Sequence, residues 1–446
     1  MIKKIDGSSD SFIRIEEQTG QIPENVARRR LLSGIVASSS ALVMSGMFRQ
    51  AEAADPLPIP NWTKSQGEPV GLRPYGLPSP FEQAVIRRES AAAFSPPGYV
   101  PPMSTSSWAL TPLQDLHGSI TPNGLFFERH HGGIPAIDPV QHRLVIHGLV
   151  KRELLFSMDD LTRFPAVSKF HFLECSGNSD TSLEGNHGRT AQDVHGLVSC
   201  AQWTGVMLST LLREAGIDTD KARYILAEGA DGAAMLRTVP ISRAMDDCMV
   251  VYAQNGERLR PEQGYPIRLL VPGCEGNINV KWLRRLEVTD IPAFSREETS
   301  KYTDLTGPDG IAHKSSLFME AKSLITFPSG GQELPEAGHY EVRGIAWSGR
   351  GKITGVDVSV DGGKNWQPAT LAEPVLAKCM TAFTFAWRWD KSPATLISRA
   401  RDETGYVQPY LEQLFKSRGK YFVYHNNAMQ PWRVDSSGKV TNGNKG

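Results

Sequence analysis

Cysteine is scarce in this chain: 446 residues hold five, at positions 175, 200, 248, 274 and 379, with no CxxC or CxxCH. A scattered, odd-numbered set gives no disulfide framework, and without CxxCH the chain carries no covalent c-type haem. Net charge is absent as well. Forty-eight Lys and Arg balance 48 Asp and Glu, which leaves no basic footprint for nucleic acid. Neither a GxGxxG nor a P-loop fingerprint occurs, which removes the standard dinucleotide and nucleotide signatures. Long apolar runs are missing too. The best candidate, Gly34 to Phe48, is short and rich in Ser and Ala, and does not span a bilayer comfortably.

That weak apolar run follows Ala-Arg-Arg-Arg-Leu-Leu at 27–32 and precedes Ala51-Glu52-Ala53, a small-x-small cleavage site. Paired arginines before such a run read as a twin-arginine export signal over 1–53, cleaved after Ala53. The competing reading is an N-terminal membrane anchor. Export by that route predicts a periplasmic protein that folds, with any cofactor, before it crosses. Residues 54–105 are rich in Pro and read as an extended arm that wraps a surface or reaches a partner, or as a disordered spacer.

Residues 106–317 mix helix and strand signals without a βαβ repeat, which predicts an α+β domain. HRLVIHGLV (142–150), KFHFLE (169–174), MVVYAQ, YPIRLLVPG and VKWLRRLEV read as strands. Ser157 and Asp160 form a capping box before MDDLTRF. WTGVMLSTLLREAGI (203–217) reads as a helix with Leu208, Leu211, Leu212 and Ala215 on one stripe, closed by Gly216. Ser242 reads as the cap of another helix, and Asn255-Gly256 as a hairpin turn. From 318 to 435 the signals are all β. HYEVRGIAWSG, ITGVDVSVD, AFTFAWRWD and TLISRARDETG alternate with turns such as Asp361-Gly362-Gly363, with no amphipathic helix among them. This predicts a β-sandwich, followed by a flexible tail at 436–446.

Two stretches carry chemistry. FLECSGNS (172–179) delivers Cys175 from a strand onto a Ser-Gly-Asn turn, where backbone can approach a bulky ligand closely. A thiolate is a soft metal ligand that needs an electropositive neighbourhood. FFERHHGGIP (126–135) supplies Arg129, His130 and His131. Singly, each residue has a plainer reading. A lone Cys is usually a small buried hydrophobe. Arg268 could end a surface ion pair, Lys281 could be a solvated strand residue, Tyr302 could be ordinary packing, and His131 a structural hydrogen bonder.

Together these segments resemble the sulfite oxidase family of molybdenum-pterin enzymes. RLVIHGLV, SMDDLTRFP, AQWTGVMLSTLL, GYPIRLLVPG, NVKWL, GIAWSG and VDVSVDGGKNW resemble family segments in the family's order. The resemblance implies a molybdopterin domain followed by an immunoglobulin-like β-sandwich that makes a homodimer contact. It implies Cys175 as the molybdenum thiolate and a catalytic set of Cys175, Arg129 and Tyr302. Phe127, Glu128, Arg129, His130 and His131 would form the loop over metal and pterin. Asp231, Gln263, Arg268, Asn279, Val280 and Lys281 would hold the pterin and its phosphate. Tyr302 follows Lys281 by 21 residues, the family separation. These residue types suit such chemistry, with cations for a phosphate, a guanidinium for an oxyanion, and a hydroxyl that can move a proton.

The departures carry information. Family members usually place a basic residue just after the Asn of the cysteine turn, but here Asn178 is followed by Ser179 and Asp180. Gln263 stands where a His is frequent. A carboxylate in place of a cation disfavours a free dianion such as sulfite, by about a kcal/mol or more at short range. In its twin-arginine leader, long Pro-rich arm, ECSGNS turn and lack of a haem motif, the chain resembles most the molybdenum subunit of sulfane dehydrogenase, a branch of the family in the thiosulfate-oxidising system. That resemblance implies a sulfane sulfur on a cysteine of a carrier protein, a dihaem c-type cytochrome as electron acceptor, and a homodimer of this chain within a heterotetramer. A sulfite dehydrogenase acting on free sulfite is the nearest alternative. A metal-free periplasmic binding or assembly protein is the alternative from another class.

Overall fold

Short alternating apolar segments recur along the chain, and its described residues form more strand than helix. The computed structural model describes residues 64, 66, 78–90, 106–179, 190–305, 311–314, 317–419 and 422–444. The expected export signal, most of the Pro-rich arm and Asp180 lie outside them. No described helix is long and apolar enough to cross a membrane.

The α+β part is built on two five-stranded sheets. One runs Leu154–Phe156, Leu144–Gly148, Leu283–Thr289, Tyr224–Gly229, Leu236–Pro240, and only the Leu144–Gly148/Leu283–Thr289 pair is parallel. The other joins Ala166–Glu174, Val198–Met207, Met249–Gln254 and Glu257–Arg258, with Arg268–Leu270 also on Met249–Gln254. Leu144, Ile146, Leu211, Leu212, Ile225 and Leu286 are fully buried between sheet and helices. Asn255 and Gly256 both have positive φ, 48° and 82°, the geometry of the expected hairpin turn.

The helix expected over 203–217 begins late. Val198–Met207 is a strand, and only Leu208–Ala215 is helical. Trp203 and Val206 are pinned on both sides, by Ala166–Glu174 and by Met249–Gln254, so sheet pairing overrides a period that suited either element. The four residues of the predicted stripe are completely buried, and Gly216 closes the helix at φ 70°. Ser242 does not cap. The helix Ile241–Asp246 has Pro240 at its N-cap, with no side-chain cap bond.

The sandwich packs Lys322–Phe327, Gly338–Trp347, Thr381–Trp389 and Thr370–Leu371 against a sheet of Gln367–Pro368, Ile353–Ser359, Ala394–Asp402, Trp432–Val434 and Val440–Asn442. Two expectations fail here. A short helix, Leu411–Arg418, lies between the strands Ala394–Asp402 and Trp432–Val434. The tail expected to be flexible contributes the strand Val440–Asn442, held by Trp432–Val434. The sandwich core also extends beyond its own sheets. Phe172 and Cys200 of the α+β part pack in one cluster with Trp347, Phe383 and Trp432, so the two parts share apolar burial.

Candidate active site

All thirteen residues singled out from sequence line one pocket of the α+β part. Its floor is a cluster of Phe126, Phe127, Leu173, Trp203 and Leu270, with Cys175 packed against it. Cys175 leaves the end of Ala166–Glu174, and its turn is closed by backbone bonds from Cys175 N to Leu197 O (2.9 Å) and Asn178 N to Cys175 O (2.9 Å). Asn178 Oδ1 accepts from Leu197 N at 3.1 Å, which is why an Asn suits this turn. Gly276 packs on the same turn, where a Cβ would come within 2.9 Å of Glu174 O. Cys175 is partly exposed, whereas the other four cysteines are buried thiols.

The second wall is the short strand Glu128–Arg129, paired with Trp108–Leu110. Lys281 Nζ donates to Arg129 O (3.1 Å), Glu262 O (3.0 Å) and His130 Nδ1 (2.9 Å). Ammonium is donor-only, so His130 Nδ1 accepts and its Nε2–H donates to Glu128 Oε2, 2.8 Å away. Burial lowers the His130 pKa, consistent with a neutral ring. Burial opposes the Glu128 carboxylate, but the His130 bond and the Arg87 cation outweigh it and hold its pKa below the ordinary value. Arg129 lies 5.6 Å over the Trp108 ring and donates to His130 O.

Across the pocket, Tyr302 OH stands 3.1 Å from His131 Nε2. Burial, reinforced by the nearby Cys175 sulfur, raises the tyrosine pKa, so the phenol keeps its proton at neutral pH. Burial and the cations of Arg129 and Lys281 push the His131 pKa down to about 3. The Arg237 guanidinium sits 4.8 Å from the Tyr302 ring and fixes its plane. Tyr302 has φ 56°, an unusual backbone position that aims the side chain inward.

At the far end Arg268 is buried and donates to Gln263 O (3.1 Å) and Asn279 O (2.9 Å). Burial pulls its pKa down to about 9, still charged at neutral pH. Gln263 Nε2 donates to Phe127 O at 2.9 Å and ties this end to the Arg129 wall. Lys281 is pushed well below the ordinary lysine range by burial and then by Arg268. Asn279 is committed elsewhere: its side chain bonds Val271 N (2.6 Å) and Glu275 O (3.0 Å), so it shapes its loop. Val280 contributes only its side chain, since its N–H and C=O are paired with Ile278 and Leu269. Asn277, Trp282, Met235 and Leu173 also line the pocket and escaped the sequence reading. Asn277 stood in plain view two residues before Asn279.

Known proteins share both parts of this architecture. Residues 131–296 match the model of an oxidoreductase molybdopterin binding domain, and 314–431 that of a Mo-co oxidoreductase dimerisation domain. The sulfane dehydrogenase SoxCD from Paracoccus pantotrophus matches in structure with TM-score 0.82 and 45% identity, over 86% of this chain and 97% of that one. This chain belongs to the sulfite oxidase family of molybdopterin oxidoreductases. Mitochondrial sulfite oxidase of Mus musculus is 33% identical over 66% of this chain and 58% of its own length. The NADH nitrate reductase of Ulva prolifera is 30% identical over 66% of this chain and 38% of its own. The chain thus spans well under two thirds of those relatives.

The pocket fits the family's molybdenum cofactor. Asp231 Oδ1, Arg268 Nε and Asn277 Oδ1 are buried there without a hydrogen-bond partner, a costly state unless a ligand supplies one. Arg268 and Lys281 repel one another at an end where a phosphate would relieve both. Among the described residues there is no cluster of three or more His, Cys, Asp or Glu that could hold a metal.

Proposed function

We propose that this chain oxidises sulfane sulfur carried on a cysteine of a protein, is exported by the twin-arginine route to the periplasm, and hands its electrons to a dihaem c-type cytochrome. The observation that carries the chemistry is the convergence of Cys175, Arg129 and Tyr302 on a pocket whose far end leaves buried polar atoms unpaired. The 45% identity to a sulfane dehydrogenase, against 33% to a sulfite oxidase, supports the choice of substrate. The dimerisation domain supports a homodimer inside a larger assembly.

When bound, the molybdenum-pterin cofactor supplies oxygen-atom transfer to sulfur and takes up the two electrons released. Cys175 would hold the metal. Asp231, Arg268, Asn277 and Lys281 would hold the pterin and its phosphate, with Phe127, Gln263, Asn279 and Val280 shaping the cradle. Arg129, which lines the same pocket as Cys175, would stabilise negative charge that develops on the sulfur oxyanion. Tyr302 presents a protonated hydroxyl that can donate a hydrogen bond to a developing oxyanion on the Cys175 side, and His131 Nε2, 3.1 Å away, orients it. The apolar floor and the Glu128–His130–Lys281 chain keep these groups in place and limit water.

Asp180 follows Ser179 at the cysteine turn and would select against free sulfite by repelling its charge. The decisive experiment is steady-state oxidation of free sulfite and of a Gly-Gly-Cys peptide bearing a sulfane sulfur, with one electron acceptor for both. The peptide should be preferred. Asp180→Arg should raise kcat/KM for sulfite by roughly tenfold or more, about 1–3 kcal/mol, and impair the peptide. Equal use of both substrates, unmoved by the mutation, replaces this reading with a sulfite dehydrogenase, which the sulfite oxidase relatives favour. Lysines in place of Arg28 and Arg29 should leave an unprocessed precursor in the cytoplasm. A processed periplasmic product would overturn the export route.

A further inference from the structure

The matched pterin-domain model begins at residue 131, yet a side chain far upstream reaches the pocket wall. Arg87 belongs to the Pro-rich arm. Its guanidinium donates to Phe126 O at 3.3 Å and forms a close ion pair with the Glu128 carboxylate; Glu262 lies 3.9 Å away. The arm is fixed at this point. Arg88–Ser90 pairs antiparallel with Trp108–Leu110, and Trp108 and Ala109 pair in turn with Arg129 and Glu128. Gln192 Nε2 donates to Ile86 O (3.0 Å) and to Leu110 O (2.7 Å), clipping the arm to that sheet.

The chemistry of the chain of contacts is directional. With Lys281 as a donor-only ammonium, His130 Nδ1 accepts from it and His130 Nε2–H donates to Glu128 Oε2, while the Arg87 ion pair favours the ionised carboxylate. Glu128 is 12% exposed, and Arg87 is the closest cation that meets its carboxylate. Without Arg87 the carboxylate would face a neutral ring on one side and Glu262 behind the missing guanidinium. Both the charge of Glu128 and the place of the Phe126–Glu128 backbone therefore depend on the arm.

We propose that Arg87 is a positioning residue: it clamps Phe126 O and the Glu128 carboxylate, and so sets where Arg129 and His130 sit in the pocket. The arm is thereby part of the active site rather than a tether. This rests on reading the pocket as the active site, and the experiment separates the two.

The test uses the full chain loaded with cofactor. Hydrogen exchange over 126–131 should speed up by about tenfold in Arg87→Gln, because the clamp on that backbone is gone. kcat/KM for the sulfane-bearing peptide should fall by about tenfold. The acid limb of the kcat/KM–pH profile should move up, since a carboxylate deprived of its cation protonates at higher pH. The charged groups that face Glu128 are Arg87, Lys281 and Glu262, with His130 neutral; of these only Arg87 changes. Arg87→Lys, which keeps the charge and one donor, should recover kcat/KM to within about threefold and show exchange between the two. Arg88→Gln, on the same strand but paired with Asp193 at 2.8 Å, should behave as wild type. Unaltered exchange over 126–131 and an unmoved acid limb in Arg87→Gln overturn the proposal. Should Arg87→Gln not accumulate as folded protein, unaltered exchange in Arg87→Lys overturns it equally. Full activity in Cys175→Ser would instead overturn the reading of the pocket itself.

Discussion

Behind the Cys175 turn lies a buried ion pair that joins the two parts of the chain, and cutting it should be costly. Lys322, on a sandwich strand, donates to Glu174 Oε1 at 2.9 Å, and their side chains are 1% and 2% exposed. At that distance and an effective dielectric of about 20 the attraction is about 6 kcal/mol before desolvation. Removing one partner of such a pair generally costs about 3–5 kcal/mol, because the other charge stays buried and uncompensated. Glu174 keeps two neutral donors, Asn178 Nδ2 (2.9 Å) and Trp347 Nε1 (2.7 Å), which places the expected loss for Lys322→Met near the lower end, about 3 kcal/mol. Lys322 also donates to Ser179 Oγ at 2.9 Å, and that oxygen is 2.6 Å from His195 Nδ1, so the turn loses a second brace.

The assay is urea unfolding of wild type, Lys322→Met, Glu174→Gln and the double variant, with molybdenum content measured on each. Adding Glu174→Gln to Lys322→Met removes the stranded charge and should recover about 1–2 kcal/mol. Lys322→Met should also lose metal, since Asn178 spans Glu174 and Leu197 and the Cys175 turn closes on Leu197. A loss below about 1 kcal/mol, or a double variant no more stable than Lys322→Met, would refute the reasoning.

Cys175→Ser should abolish activity and strip the metal with the fold intact, whereas serine at buried Cys248 or Cys274 should leave turnover measurable; metal analysis and kinetics read both. Tyr302→Phe should cut kcat by about tenfold to a hundredfold with little change in thermal midpoint, since it removes the hydroxyl facing His131 and nothing of the packing. Asp361, in the turn of the sandwich, has its pKa lowered from 3.8 to about 2 by hydrogen bonds from Asn365 and Ser359. A depressed carboxylate stabilises the fold fully above its unfolded value. That contribution fades as pH falls from 3.8 to about 2, and Asp361→Asn should flatten the stability curve over that window. Unfolding midpoints from pH 2 to 6 on both proteins would check it; parallel curves would count against the assignment.

Much of the site was legible because its residues sit in short, self-contained segments. The CSGN turn, FFERHH and NVKWL each carry their geometry locally, so resemblance placed Cys175, Arg129 and Lys281 in one pocket. The Arg268 end of the pocket was read less well. Asn279 and Asn277 share one loop and one residue type, and only the hydrogen bonds show that Asn279 serves Val271 while Asn277 keeps an unpaired oxygen. The helix at 203–217 failed for a related reason: WTGVM has no period that distinguishes strand from helix, and its two sheet neighbours decide.

What no local pattern could show is the bracing from a distance. Lys322 lies 148 residues from Glu174, and Arg87 lies 41 from Glu128. In sequence each is one cation among 48, where the ordinary expectation is a solvated surface charge. Burial changes their meaning. A lysine 1% exposed persists only because a carboxylate needs it, and here that carboxylate directly precedes the residue that would hold the metal. The same turn is gripped twice more from the sandwich side: His425 N donates to Ser176 O at 2.6 Å, and Asn426 Nδ2 to Ser179 O at 2.9 Å. A domain matched as a dimerisation module therefore sets the position of the thiolate turn in the other part of the chain. It follows that substitutions in the sandwich core near Trp347, far from any substrate, should act on metal retention before they act on dimerisation.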